Sequence, residues 1–251
     1  MRTSLAVLTI LLSGLVSAES AIAQQRPDFS GVWQRVGRGT PAQTQSEWYD
    51  GDLPFTKEGL ALFMNNKPGK GPRKVAPATG NDPIGGANPY GLYRSLIYRQ
   101  RPMEFVQTPK ELVQLFEVSR IFRHIYTDGR PVPDDVPAGP FWYGYSVGRW
   151  EGDTLVVGTV SADERAWLDE WGTPFSAEAK FEERWKKTAP DKLELRITVT
   201  DPVMYKEPWT SIPVIYELQP EGEVQEMIFA PMDEQFFNEN IRDPAGLPTG
   251  Q

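Results

Sequence analysis

From Pro102 onward the sequence is a succession of short β-rich runs separated by turn residues, and nothing else in it limits the available folds as strongly. In the clearest run Leu193, Leu195, Ile197 and Val199 alternate with Glu194, Arg196, Thr198 and Thr200. That period of two describes a strand with one face buried and the other in water. Ala189-Pro190-Asp191-Lys192 is a turn before it, so Lys180–Lys187 is its expected partner, although Phe181 and Trp185 also have helical spacing. Glu104–Thr108, Leu112–Val118 and Arg120–Thr127 read as further strands, ended by Asp128-Gly129-Arg130-Pro131. Tyr143–Trp150 and Thr154–Val160 flank the hairpin signal Glu151-Gly152-Asp153, and Ile212–Leu218 with Val224–Phe229 flank Pro220-Glu221-Gly222. With Phe29–Val36, this makes about eight to ten short strands, the pattern of a barrel or sandwich. We read a mainly β fold, an antiparallel β-barrel, with one or two short helices.

The rest of the chain is less regular. Thr56 reads as an N-cap, and Leu60, Leu62, Phe63 and Met64 give an apolar stripe, which predicts a covering helix over Lys57–Asn65. Lys67–Gly91 holds Pro68, Pro72, Pro77, Pro83 and Pro89 with six glycines. It reads either as a long irregular loop, a lid or strap over a site, or as disorder. Asp233–Gln251 reads as a helical start followed by coil. At the other end Arg2, an apolar run from Leu5 to Val16 and Ala21-Ile22-Ala23 have the layout of a cleaved export signal. The apolar run is shorter than the roughly 20 residues that span a bilayer. The expectation is a signal peptide over 1–23, then one barrel domain over 24–251, periplasmic or secreted, with no integral membrane segment after cleavage.

Composition closes several chemistries. The chain has no Cys and one His, which removes disulfides, thiolate sites and His-paired metal centres. A net charge of −8 argues against nucleic acid as a partner. No metal site or cofactor is expected: there is no calcium-type acidic series, no phosphate-cradling Gly-rich loop and no dinucleotide fingerprint.

Two constellations remain. Along Arg120–Thr127 the period of two puts Arg120, Phe122, His124 and Tyr126 on one face and Ile121, Arg123, Ile125 and Thr127 on the other. This strand is either the wall of a ligand cavity or a barrel exterior whose Arg residues pair with neighbouring Glu. His124, Tyr126 and Asp128 are the candidate catalytic groups, with Arg123 and Arg130 as ligand-binding cations, since a His near pH 7 suits general acid–base work. The second constellation is aromatic. Trp142, Tyr145, Trp167 and Trp171 supply more ring surface than turns and ladders need, and are read as walls of a pocket for a small apolar or aromatic molecule, with Arg for any carboxylate or cation–π contact. A protein interface would use the same residues. The first reading is therefore a binder; the alternative is a cofactor-free acid–base enzyme, a lyase, isomerase or hydrolase, acting in the same cavity.

Pro27–Trp33 (PDFSGVW), Arg123–Pro133 (RHIYTDGRPVP), Gly144–Val157 (GYSVGRWEGDTLVV) and Asp201–Trp209 (DPVMYKEPW) resemble a family of uncharacterised exported bacterial proteins. The resemblance spans most of the chain after the signal and implies export but no activity. That family often carries His where Phe175 stands here, so any chemical role of that His is missing from this chain. Gly31-Val32-Trp33 is also similar to the first-strand G-x-W of lipocalin-type barrels, and this likeness implies a lipocalin-like architecture for the antiparallel β-barrel.

Overall fold

The computed structural model describes residues 26–37, 46, 48–76, 79–86, 88–98, 101–134, 136–225, 236 and 238–245. The proposed signal over 1–23 and most of the expected strand Val224–Phe229 lie outside these residues, and the described Val224 and Gln225 are not in a strand. Of the C-terminal tail, Asn238–Arg242 forms a π-helical turn.

The elements run β1 (Gly31–Val36), α1 (Lys57–Asn65), α2 (Leu92–Ile97), β2 (Met103–Gln107), β3 (Glu111–Phe116), β4 (Ile121–Tyr126), β5 (Tyr145–Glu151), β6 (Thr154–Val160), β7 (Lys180–Ala189), β8 (Lys192–Thr200), β9 (Trp209–Thr210) and β10 (Val214–Leu218). The sheet closes because β10 pairs with β1 on one side and with the first half of β8 on the other. The result is a nine-stranded barrel of β1–β8 and β10, with the two-residue β9 as a spur on the second half of β8. The expected antiparallel order needs one correction: β4 and β5 are parallel, Ile125 facing Ser146 and Tyr126 facing Val147. A parallel neighbour requires a long crossover, which residues 127–144 supply. Lys180–Lys187, open between strand and helix in the sequence, is strand β7.

Alternation sets the core. Leu193, Leu195, Ile197 and Val199 are all fully buried, and Trp33, Phe105, Trp185 and Tyr216 converge inside the barrel. Phe105 and Trp185 are 5.2 Å apart, Trp185 and Tyr216 5.5 Å, so rings fill this part of the interior. Helix α2 plugs the barrel. Its six residues are all buried; Tyr93 packs on Phe181 of β7 at 4.1 Å, the Leu96 carbonyl accepts from Tyr216 of β10, and that of Ile97 accepts from Arg35 of β1.

Helix α1 follows its sequence reading in extent but not in packing. Thr56 caps it, accepting from the Gly59 amide at 3.0 Å, and the Thr56 hydroxyl donates to the Val203 carbonyl at 2.6 Å. Gly59 is its one buried residue, and it must be glycine because a Cβ there would stand 2.1 Å from the Met204 carbonyl oxygen. Its apolar stripe does not cover the barrel: Leu60, Leu62 and Met64 are exposed. Among the described residues no helix is long and apolar enough to cross a membrane.

Candidate functional site

The residues singled out in the sequence fall in several places. Arg123 points into the barrel. Its Nε donates to Ser146 Oγ (2.9 Å), Nη1 to Gln114 Oε1 (3.3 Å) and Glu183 Oε2 (3.0 Å), and Nη2 to Thr159 Oγ1 (2.8 Å) and Glu183 Oε1 (2.8 Å). All five N–H donors of the guanidinium are thus engaged by protein acceptors. The Glu183 carboxylate also accepts from Trp185 Nε1 at 2.9 Å and lies 3.4 Å from the Tyr93 hydroxyl. Both members of the pair are almost completely buried. This network joins β3, β4, β5, β6, β7 and the plug α2, and it leaves Arg123 no donor for a ligand.

The opposite face of β4 is the outer wall. His124 Nδ1 lies 2.9 Å from Glu111 Oε2, with the two side chains 39% and 32% exposed. The His124 ring stacks on Tyr126, centroids 5.8 Å apart and planes 7° apart, and Tyr126 meets Tyr145 at 5.5 Å. Arg130 lies 3.9 Å from the Tyr126 ring centre, donates to the Tyr145 hydroxyl at 2.8 Å and forks onto Asp128. That fork holds the Asp128 carboxyl below its ordinary value and raises the Arg130 guanidinium. His124, Tyr126, Asp128, Arg130 and Tyr145 therefore come together, on the barrel's exterior.

The predicted pocket rings separate in the same way. Tyr145 belongs to the outer wall. Trp142 lies under the Arg165 guanidinium at 4.5 Å, and Trp167 is buried. Of these rings only Trp171 lines a cleft of about 730 Å³, and none of the lining residues belongs to a barrel strand. The cleft lies between 49–55, α1, the 70–73 loop and the turn that carries Trp171.

Local chemistry builds each wall. The Asp169 carboxylate accepts from the Trp171 amide (2.9 Å), the Thr173 amide (3.1 Å), the Thr173 hydroxyl (2.7 Å) and Trp48 Nε1 (3.1 Å). A short acidic side chain folding onto amides ahead of it is what makes such a turn, and it sets Trp171 at the edge. The 67–91 segment, whose described residues include a short 3-10 turn over Pro83–Gly86, passes the indole at Gly71. There φ is +80° and a Cβ would stand 2.7 Å from the Trp171 ring, so only glycine fits. Phe55 stacks between Phe63 and Tyr205 at 4.9 and 5.3 Å. Arg73 lies 3.7 Å from the Phe63 ring centre, and Tyr49 meets Trp171 edge-on at 6.3 Å.

Arg73 is the polar group that ties these walls together. Nη1 donates to the carbonyls of Phe63 (2.6 Å) and Asn66 (2.8 Å), and Nη2 to that of Trp171 (2.6 Å). Burial pulls its pKa down, partly offset by Asp169 and Tyr49. Burial, with Asp169 nearby, pushes the Tyr49 hydroxyl up, so it stays protonated across the physiological range. Among the described residues no group of three or more metal-ligating side chains comes together.

The chain matches no protein-family model and no curated protein. The site therefore rests on geometry alone. Trp171 is legible in the sequence through its spacing in Trp167-Leu168-Asp169-Glu170-Trp171, whereas Tyr49, Phe55, Phe63 and Arg73 are not legible as its partners. Two signals point to Tyr49 and Arg73: the Trp48-Tyr49 pair ahead of Pro54, and a single Arg flanked by Pro72 in a glycine-rich stretch.

Proposed function

We propose that the protein is an exported small-molecule-binding barrel that holds an apolar or aromatic molecule in the cleft beside Trp171. The observation that carries this is the cleft itself. Its volume of about 730 Å³ falls within the range of small-molecule sites, and Tyr49, Phe55, Phe63 and Trp171 give it aromatic walls with a few fixed polar groups. Leu60, on its α1 side, is 49% exposed, apolar surface that a ligand would cover. Export is supported by the leader pattern and by the resemblance to exported bacterial proteins. Titration with an uncharged naphthalene derivative, read by Trp fluorescence, tests the site. Trp171→Ala should weaken binding by about tenfold with little change in melting temperature, because the turn is held through the Trp171 main chain. Unchanged affinity in Trp171→Ala would remove this reading.

A cofactor-free acid–base enzyme is the second reading, favoured by the 2.9 Å contact between His124 and Glu111, a carboxylate able to orient the imidazole. It requires that His124→Gln or Asp128→Asn abolish turnover of an identified substrate while folding is kept. Full turnover in both variants would exclude it.

A further inference from the structure

We infer that the cleft selects an aromatic carboxylate, whose ring lies against Trp171 and whose carboxylate is held by Arg73. This rests on the proposed binding site and names the chemical class that the site takes. A guanidinium has five N–H donors, and Arg73 uses three of them, all on neutral main-chain carbonyls. The Nε hydrogen and one hydrogen of Nη2 bond to no acceptor among the described residues, and Arg73 forms no ion pair with any of them. The cleft is thus lined by a cation that is positioned by main-chain carbonyls and touches no carboxylate among the described residues.

The acids nearby do not bond to Arg73, although Asp169 acts on it through space. The Asp169 carboxylate already accepts four hydrogen bonds from Trp48, Trp171 and Thr173, and Glu170 is bound to Lys70 at 2.6 Å. Arg123, by contrast, has every donor engaged and a carboxylate partner in contact, which is how this same chain satisfies a structural arginine. A planar carboxylate matches the two remaining donors, and charge-assisted bonds of this kind are about twice as strong as neutral ones. A monoanion fits better than a phosphate dianion because Asp50 and Asp52 also line the cleft and the chain carries −8 overall. The ring follows from Trp171 and the Phe55–Phe63 stack, with Arg73 joining the two surfaces.

The test compares 2-naphthoate with 2-naphthylmethanol, alike in ring and differing in charge, by calorimetric titration of the wild-type protein. Naphthoate should bind at least about tenfold more tightly, and its advantage should shrink as salt is raised. Arg73→Gln and Arg73→Lys should erase or reduce the ratio of the two affinities, and this ratio is what the titration reads, because Arg73 also ties the walls of the cleft together and its loss weakens both probes. Equal binding of the two probes by the wild type overturns the carboxylate assignment and leaves the aromatic site standing. A preference for naphthoate that survives in folded Arg73→Gln overturns the role of Arg73. If neither probe binds the wild type, the proposed function falls with the inference. The wild-type comparison decides the first point even if Arg73→Gln fails to fold.

Discussion

At the scale of single residues, the interior and the cleft treat charge in opposite ways. Arg123 and Glu183 are buried as a pair with every donor of the guanidinium used. Removing one partner leaves the other charge buried and uncompensated, so Glu183→Gln should cost about 3–5 kcal/mol in urea denaturation; a loss below about 1 kcal/mol would show that the network relaxes around the change. Asp163 gives a pH dependence. The Arg165 side chain forks onto it, with Nη2 in close contact, and the Arg165 amide adds a third bond, holding its carboxyl below the ordinary value of 3.8. A depressed folded-state pKa means that the stability is present above the unfolded value and lost as pH falls through the folded one. Asp163→Asn should therefore lower stability at neutral pH and flatten the loss below about pH 4, measured by denaturation across a pH series. An acid limb identical to that of the wild type would contradict this.

At the scale of elements, what could be read in the sequence depended on how far the determining contacts reach. The bounds of α1 were legible because a cap and a spacing are local: Thr56 precedes the helix and bonds the Gly59 amide as expected. Its environment was not, because Gly59 had to be seen against Met204, far along the chain. Thr56→Ala should cost about 1 kcal/mol or more, since the hydroxyl is both cap and donor to Val203, and Thr56→Ser should recover most of it. If Ser recovers nothing, the methyl group rather than the hydroxyl matters. Helix α2 was invisible because it has six residues, no side-chain cap and burial all round, so its helicity comes from the barrel it plugs. The alternation in β8 gave its face directly, and that in β4 separated Arg123 from His124 correctly without saying which side was in. Alternation carries no information on strand direction, so the parallel β4–β5 pair was not foreseen. The site was legible only through Trp171, because Tyr49, Phe55, Phe63 and Arg73 reach it from distant segments.

At the scale of the whole molecule, the barrel serves as a frame. Its interior carries Trp33, Phe105, Trp185, Tyr216 and the Arg123–Glu183 pair, while the cleft is assembled beside it from the connections. With one His and no Cys in the chain, EDTA should leave the melting temperature unchanged; a loss of several degrees restored by calcium would point to a carboxylate site. The central claim is where an aromatic ligand binds, and the eight tryptophans report on it separately. In a spectrum of the indole N–H groups, adding 2-naphthoate should move the Trp171 resonance while those of Trp33 and Trp185, buried in the barrel, stay in place. Shifts at Trp33 and Trp185 with Trp171 unmoved would put the ligand inside the barrel and contradict the account.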